Sequence, residues 1–429
     1  MSFRLNMSKL LYYSAIFLLF PEVFIGSLTY RFYPSGMAGM ILITVCLAVF
    51  GFLCNKGRGI RIYRKYALVY AAVIGIVILM MCGSGGFISN FKPVVIFIFL
   101  ILSHGSSRWH EFFFKLLLIS TVFFAVTTIW LFFDTGSYLK FFANNMYPDK
   151  AAAFFQKNVN LGHTTGVFDH YSHLGIVLGN GLTLVAAMIM CRIGEKKRSV
   201  MLYILLAMVL VALVFCGKRG QLVFSVAGVL ITALLYFRGL IGKRLIRTLI
   251  FVVAVIVLFS IIMEYSPILQ NYVGRFSHLD TDEAVQERYS YWSIALNQFS
   301  ENPIFGIGWK AFRTLNYKNN DVHNMYLQIL CETGILGAIV FLTLFITCFV
   351  FATRNLIAIR NSKESVDPIQ KLACIFSLSY QIYFFLYGLT GNPQNLYYSC
   401  MPYVIACSMT LYYYKALKRK TYSTLAYAC

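Results

Sequence analysis

The stretch "HNMYLQILCETGILGAIVFLTLFITCFVFAT", residues 323–353, joins a polar start to a long apolar run. Its single charged side chain belongs to Glu332. Because a helix that crosses a bilayer needs about 20 mostly apolar residues, this stretch predicts a transmembrane helix. A carboxylate inside such a helix is costly unless it faces a polar cavity or a partner, so we expect Glu332 to have one.

The composition of the chain extends this prediction to its whole length. Of the 429 residues, 59% are hydrophobic and 12% are charged, whereas soluble domains carry about 25% charged residues. The mean hydropathy is +0.70. The 11 cysteines include no Cys-x-x-Cys pair and lie mostly in apolar runs, which favours small buried hydrophobes over a metal site or a disulfide framework. We predict an all-α polytopic membrane protein, with residues 1–429 forming one integral membrane domain.

Apolar runs of sufficient length predict about twelve transmembrane helices. The first run contains Pro21 and lacks a small-residue cleavage site, so we expect a retained helix rather than a signal peptide. The approximate cores are residues 10–31, 34–54, 66–82, 92–106, 112–133, 171–191, 200–216, 221–237, 248–264, 326–353, 369–390 and 396–414.

Basic residues give the predicted helices an orientation. The net charge of +21 could suggest a nucleic-acid partner, but most of the lysines and arginines lie in short loops between apolar runs. That distribution follows the positive-inside rule, so we predict cytoplasmic loops and no nucleic-acid partner. With about twelve helices, both termini are then cytoplasmic. The basic loops are residues 55–65, 192–198, 238–247, 354–363 and the tail 415–420.

Two long segments, residues 134–170 and 265–325, fall on the opposite, outer side. Both contain aromatic and apolar residues at helical spacing, so we expect functional rather than disordered loops. The second is predicted to contain an amphipathic helix at about residues 285–300, either on the membrane surface or as a cap on the helical bundle. Its apolar face consists of Trp292, Ala295, Leu296 and Phe299.

Helix breakers and glycines follow this amphipathic helix. Pro303 ends it, and Gly306 and Gly308 allow a tight turn of the backbone. Gly334 and Gly337 form a pair of small residues inside the next apolar run. Such pairs let two membrane helices approach closely, which we expect here.

Several cations lie on the predicted outer side against the positive-inside trend. Lys218 and Arg219 occupy a very short turn within "GKRGQ", residues 217–221. Outer-side cations are explained either by anionic lipid headgroups or by a bound diphosphate, because arginine forms bidentate, charge-assisted bonds with phosphate oxygens. The others are Arg275, Arg288, Lys310, Arg313 and Lys318.

Histidines mark both outer segments. His163, His170 and His173 cluster in "GHTTGVFDHYSHLG", residues 162–175. Histidine is a zinc ligand, but no His-Glu-x-x-His motif accompanies the cluster, so no metal site is predicted. The cluster is interpreted either as ordinary polar residues or as residues that line a substrate. His323 and Asn324 open the helix quoted above, either as substrate contacts or as ordinary hydrogen-bonding residues at an interface.

Two stretches together resemble a known family. "RYSYWSIALNQFSENPIFGIGWKAF", residues 288–312, and "VHNMYLQILCETGILG", residues 322–337, are similar to the hallmark region of the O-antigen ligase and polymerase superfamily. That region has an Arg-x-x-x-Trp helix, an Asn-Pro-x-x-Gly-x-Gly turn, a His-Asn pair that opens a helix, and a Gly-x-x-Gly. "GKRGQ" resembles the short outer turn of the same superfamily.

The resemblance implies a class-C glycosyltransferase with a helical outer-face loop domain in the bacterial cytoplasmic membrane. Such enzymes use glycans carried on undecaprenyl diphosphate and need no cofactor or metal. By resemblance, His323 takes a proton from the acceptor hydroxyl, and Arg219 and Arg288 bind the diphosphate. Further candidate substrate-binding residues are Lys218, Arg275, Asn324, Arg313 and His170.

These hallmarks leave more than one function open. The first hypothesis is a polymerase that joins lipid-linked repeat units, with membrane lipid and a chain-length regulator as further partners. The second is a ligase that moves the finished glycan to lipid A core or to a protein. A transporter and a non-catalytic assembly partner are alternatives of other classes. The transporter fits the predicted layout, but the chain lacks the two related halves that transporters usually show.

Overall fold

In a computed structural model, the structure describes residues 63–83, parts of 94–109, and residues 110–143, 152–160, 162–168, 170–191, 196–237, 283–316, 318–362 and 366–426. In this part of the chain all regular secondary structure is helical, and no strand occurs. The all-α prediction is therefore confirmed for these ranges. The helices are α1 (Ala67–Met81), α2 (His110–Phe133), α3 (Ala152–Asn160), α4 (Tyr171–Cys191), α5 (Lys196–Phe215), α6 (Arg219–Tyr236), α7 (Glu283–Glu301), α8 (Met325–Arg360), α9 (Pro368–Gly388) and α10 (Tyr397–Ala426).

Among the described residues, 6 helices are long and apolar enough to cross a membrane. Each of the six corresponds to a predicted core. The predicted cores 10–31, 34–54 and 248–264 lie outside the described residues, so the count of about twelve spans stays a prediction. The candidate spans are Arg64–Met81, His110–Phe133, Tyr171–Cys191, Arg219–Tyr236, Met325–Arg360 and Pro368–Gly388, and α5 contributes a shorter apolar helix, Val200–Phe215.

The chain forms two compact units. The first unit contains residues 1–115, 294–352 and 391–429, and the second contains residues 116–293 and 353–390.

In the first unit, α1 packs against α8. A Cβ atom on Gly75 would lie 2.9 Å from Cγ1 of Val340, so a larger residue there would push the helices apart. Aromatic side chains then join α8 to α10: the rings of Phe351 and Tyr414 stack with centroids 4.1 Å apart. These contacts hold α8 in place. The helix begins two residues after His323.

In the second unit, α4 packs against α5, α6 and α9. A Cβ atom on Gly179 would lie 2.6 Å from the hydroxyl oxygen of Tyr383, so the small residue is needed for that tyrosine to fit. The Tyr383 hydroxyl donates a hydrogen bond to Oε1 of Gln221, and the Tyr380 hydroxyl donates one to Oδ1 of Asn180 at 3.0 Å. Helix α6 is thereby fixed from its first turn onward.

Helix α7 covers the stretch in which an amphipathic helix was predicted. Its predicted apolar face is divided: Ala295 is buried at 1% exposure, whereas Leu296 is 51% exposed. Tyr291, four residues before Ala295, is also buried. The buried stripe of α7 therefore contains Tyr291 and Ala295, and Leu296 lies beside it.

Candidate functional site

Helix α8 is interrupted at Gly334, whose φ of 62° and ψ of −168° are not helical. The interruption frees two backbone carbonyl groups in the preceding turn. The carbonyl of Cys331 accepts a hydrogen bond from the amide of Ile307 at 3.0 Å, and that of Glu332 accepts one from Gly308 at 2.8 Å. Backbone groups that a broken helix would leave unpaired are thus paired by the turn that follows α7.

The same turn also pairs the amides on the far side of the break. The amide of Ile335 donates to the carbonyl of Pro303 at 2.9 Å, and Leu336 donates to Ile304 at 3.3 Å. The expected close approach at Gly334 is therefore made by this turn and not by a second helix, which corrects the prediction. At Gly337 a helix does approach, because a Cβ atom there would lie 3.2 Å from Cδ1 of Leu79 in α1.

His323 and Asn324 form the start of α8. The Asn324 side-chain oxygen accepts hydrogen bonds from the amides of Tyr326 at 3.0 Å and Leu327 at 3.1 Å, as helix-capping residues do. His323 has a φ of 57°, in the left-handed region that few residues other than glycine adopt. Such strain persists where the surrounding structure enforces it, and it is common at functional sites.

Asp321, two residues before His323, forms an ion pair with Arg313, which is one of the predicted substrate-binding residues. Nε and Nη2 of Arg313 donate to its two carboxylate oxygens at 2.8 and 2.7 Å. Burial alone would raise the pKa of Asp321, but the hydrogen bonds and charge of Arg313 outweigh burial, so the pKa is lowered. The same bonds raise the pKa of Arg313. The role of Arg313 in substrate binding stays a prediction, and a phosphate bound to it in bidentate fashion would have to displace Asp321.

Gln328 connects this ion pair to the carboxylate inside α8. Its Nε2 atom donates to Oδ1 of Asp321 at 3.0 Å and to Oε1 of Glu332 at 3.0 Å. Its Oε1 atom accepts from the amide of Val322 at 3.3 Å. The expectation that Glu332 has a polar partner is confirmed, and His323 lies in a segment whose neighbours are held by hydrogen bonds.

In the second unit, the short turn between α5 and α6 is tightly packed. Gly217 has a φ of 74°, and a Cβ atom there would lie 2.7 Å from Cβ of His163. The Cys216 thiol donates to the carbonyl of Tyr171 at 3.0 Å. The close approach of His163 therefore requires glycine at position 217.

Lys218 and Arg219 follow directly from this turn. A Cβ atom on Gly175 would lie 2.9 Å from Cβ of Lys218, so α4 approaches the turn closely. The Lys218 ammonium lies 5.4 Å from the centre of the Tyr171 ring, within the range of a cation–π interaction. Arg219 is the first residue of α6 and is partly buried. Lys218 is thus held by packing, and Arg219 follows it at the start of a helix.

Two of the three clustered histidines contact the same tyrosine. The His170 ring stacks on Tyr171 with centroids 4.4 Å apart, and the His163 ring meets it edge-on at 5.1 Å. His163 is buried, and its Nε2 lies 3.1 Å from Oδ1 of Asn158. The structure therefore brings His170 and Lys218 to the same aromatic ring. Within the described ranges, no group of three His, Cys, Asp or Glu side chains could hold a metal ion.

The remaining predicted residues are distributed as follows. Arg288 is a partly buried residue of α7, and Arg275 lies outside the described residues. The second unit contains His170, Lys218, Arg219 and Arg288, whereas the first unit contains Arg313, His323 and Asn324.

Sequence reasoning missed Asp321, Gln328 and a loop rich in amides, residues 391–396. The loop reads "GNPQNL" and lies between α9 and α10 in the first unit. Asn395 donates from Nδ2 to Oδ1 of Asp321 at 3.4 Å, which places the loop beside the ion pair. The concentration of Asn and Gln between two apolar runs was the available signal.

Comparisons with known proteins cover the stretches that carry the resemblance. Residues 184–342 match the model of a family described as O-Antigen ligase, and this range includes Arg219, Arg288 and His323. Over 211 residues, 45% of this chain, the sequence is 26% identical to a Rickettsia felis protein named "Putative polysaccharide ligase". The match spans 47% of that relative, about half of its length. The resemblance to the O-antigen ligase superfamily is thereby confirmed.

Proposed function

From the match of residues 184–342 to the O-Antigen ligase family, we propose that the chain is a membrane enzyme that transfers a glycan from undecaprenyl diphosphate to an acceptor hydroxyl. The observation that carries this proposal is the geometry of the first unit. There the turn after α7 is hydrogen-bonded into the break of α8, and His323, two residues before that helix, has a left-handed backbone.

Arg219 and Arg288 are proposed to bind the diphosphate. When the anomeric carbon leaves the phosphate oxygen, negative charge develops on the leaving group. Guanidinium groups held in place stabilise that charge better than water does, because they need not reorganise. Arg219 suits this role because it is fixed at the first turn of α6, and Lys218 adds a second positive charge next to it.

His323 is proposed to act as the general base. An imidazole with a pKa near neutrality can take the proton of the acceptor hydroxyl as the oxygen attacks the anomeric carbon. The new carbon–oxygen bond forms as the bond to the phosphate breaks, and undecaprenyl diphosphate leaves with the electron pair. One displacement inverts the anomeric configuration and needs neither a covalent nucleophile nor a metal.

The proposed arrangement in the membrane has about twelve helices, as the apolar runs predict. Both termini are cytoplasmic, and residues 134–170 and 265–325 form the outer side of the bacterial cytoplasmic membrane. Exposed apolar side chains support contact between the end of α7 and the lipid surface: Leu296 is 51% exposed, Ile304 54% and Phe305 74%. On this arrangement His323 and Arg219 both face the outer side.

We propose polymerisation of lipid-linked repeat units as the reaction. A polymerase holds two undecaprenyl diphosphate carriers, and the number of cations predicted on the outer side exceeds what one diphosphate needs. Ligation to lipid A core or to a protein is the second candidate, and the descriptions of the matching family and of the Rickettsia felis relative favour it.

Reconstitution separates these candidates. The purified chain in proteoliposomes is mixed with lipid-linked glycan, which is extracted from host cells that lack the gene for this protein. The products are identified by mass spectrometry. A polymerase releases undecaprenyl diphosphate and forms glycans of two or more repeat units. A ligase forms product only after an acceptor is added. A transporter moves the carrier without forming a bond, and that result would refute the proposal.

A further inference from the structure

The loop of residues 391–396, called here the amide loop, contains two buried amide side chains. Asn392 is 4% exposed and Gln394 is 1% exposed. Within the described part of the chain, neither the amide nitrogen nor the oxygen of either side chain has a hydrogen-bond partner. Because buried polar groups without partners reduce stability, such groups in a native structure indicate a missing partner.

The backbone of the amide loop is well fixed. The amide of Asn395 donates to the carbonyl of Asn392 at 3.0 Å, and Leu396 donates to Pro393 at 3.4 Å. The Ser399 hydroxyl donates to the same Pro393 carbonyl at 2.8 Å. The loop is therefore a folded turn at the start of α10, and its two unpaired side chains are held in position.

The amide loop lies beside the ion pair of Asp321 with Arg313. Asn395 donates to Asp321 at 3.4 Å, and its own side-chain oxygen is buried without a partner. Gln328 links Asp321 to Glu332, both at 3.0 Å. His323 is two residues from Asp321 along the chain. The loop thus lies at the same end of the first unit as the proposed general base.

The chemistry of these groups selects their ligand. A side-chain amide presents both donors and an acceptor, so it is fully paired only by a group that also donates and accepts, such as a hydroxyl. A diphosphate oxygen only accepts, so it would leave the amide oxygens unpaired. A polyhydroxyl ligand can pair both the donors and the acceptors of these amides.

We propose that the amide loop is a binding subsite for the sugar hydroxyls of the glycan, with Asn392 and Gln394 as its contacts. This inference rests on the proposed function and deepens it, because it separates recognition of the sugar from recognition of the diphosphate. The loop lies outside the family match at residues 184–342. A subsite there therefore contributes to the choice of sugar in this particular chain.

The test uses apolar variants of nearly the same size, Asn392→Leu and Gln394→Met. Binding of two probes to the purified full-length chain is compared. One is the lipid-linked glycan from host cells that lack the gene for this protein, and the other is sugar-free undecaprenyl diphosphate. We expect each variant to weaken the Kd for the glycan-bearing lipid by about tenfold, the loss of a hydrogen bond to a sugar hydroxyl, and to leave the sugar-free lipid within about twofold. Without ligand, Tm should be unchanged or higher, because an apolar replacement removes unpaired buried groups.

A matched control replaces another fully buried amide, Gln381→Met, in α9 of the second unit. It should leave the Kd values of both lipids unchanged. Should Asn392→Leu fail to fold, Asn392→Ser removes the same contacts with less bulk and should give the same loss of glycan affinity.

Three outcomes overturn the inference. If the variants bind the glycan-bearing lipid as the wild type does while Tm falls, the amide side chains are paired by ordered water only. If the wild type binds neither lipid and forms no glycan product, the proposed function itself is wrong and the subsite falls with it. Wild-type turnover with unchanged glycan affinity in both variants refutes the subsite alone.

Discussion

A Cβ atom on Gly306 would lie 2.6 Å from the backbone nitrogen of Gly334. The two glycines belong to different hallmark motifs, 28 positions apart in the numbering, and the structure puts their backbones in contact. Each has a positive φ, 67° at Gly306 and 62° at Gly334. The turn after α7 and the break in α8 therefore form one element, and the start of α8 at His323 depends on it.

Replacement of either glycine should disrupt this element. Gly306→Ala and Gly334→Ala each add the strain of a left-handed residue and a clash with backbone atoms. We expect a loss of more than about 3 kcal/mol in the free energy of unfolding. Thermal unfolding of the purified protein in detergent, followed by tryptophan fluorescence, measures the effect.

Gly308 supplies the matched control for these two variants. It has a φ of 102°, but a Cβ atom there would meet nothing within 4 Å. Gly308→Ala should therefore cost only the backbone strain, about 1–2 kcal/mol. Equal losses of Tm in all three variants would contradict the contact between the two hallmark motifs.

The ion pair of Asp321 with Arg313 should make stability depend on pH. The pKa of Asp321 is lower in the folded state than in the unfolded state. The ion pair therefore stabilises the protein fully at pH values above the pKa of the unfolded state. That stabilisation is lost as the pH falls through the folded pKa. Since Arg313 is 43% exposed, we expect a contribution of about 1 kcal/mol.

Asp321→Asn tests this dependence. Its Tm should be lower than that of the wild type at pH 7, and the two curves should converge as the pH falls below about 4. In a double-mutant cycle, Arg313→Gln should cost little in the Asp321→Asn background. A constant difference in Tm between pH 3 and pH 7 would show that the charge of Asp321 does not stabilise the fold.

Arg219 and Arg288 should control affinity for the lipid diphosphate. Arg219→Ala and Arg288→Ala are each expected to weaken binding of undecaprenyl diphosphate by roughly 10- to 100-fold, the loss of charge-assisted hydrogen bonds. Lysine at either position should restore part of the affinity, because it keeps the charge without the bidentate geometry. Arg354→Ala, in a loop predicted to be cytoplasmic, should have no effect. If both alanine variants bind undecaprenyl diphosphate with full affinity, these arginines do not bind the diphosphate.

Labelling of single introduced cysteines should report on which side of the membrane each position lies. In a background without native cysteines, Arg219→Cys and His323→Cys should react with an impermeant maleimide in intact spheroplasts. Arg354→Cys should react only after the membrane is opened. If positions 219 and 323 are labelled from opposite sides, they cannot serve one site.

Periodicity and hydropathy predicted the parts of the fold that depend on local sequence. The predicted core 171–191 coincides with α4, because an apolar run between polar ends defines a helix without help from distant residues. The break at Gly334 was not predicted. At the break, the backbone of Ile304 lies where a side chain at position 334 would be. Local sequence patterns do not reveal a contact between two segments so far apart in the chain.

The candidate site was predictable to a similar extent. Residues with unusual chemistry for a membrane chain, His323 and Arg219, could be identified from position and charge. The bond between Arg313 and Asp321 was not predicted, because the two residues lie eight positions apart in a largely irregular segment, and such segments have no fixed spacing rule. The role of Asn324 as a helix cap likewise became evident only when its hydrogen bonds to the first turn of α8 were known.

Glycan transfer by a His323→Asn variant tests the central claim most directly. Asparagine tolerates the left-handed backbone at this position, so Tm and binding of the lipid-linked glycan should remain near wild-type values. It cannot accept the proton of the acceptor hydroxyl, and general bases contribute about 10²- to 10⁴-fold to rate. We expect mass spectrometry of the reconstituted reaction to show release of undecaprenyl diphosphate slowed by at least about 100-fold. Release at the wild-type rate would contradict the assignment of His323 as the base.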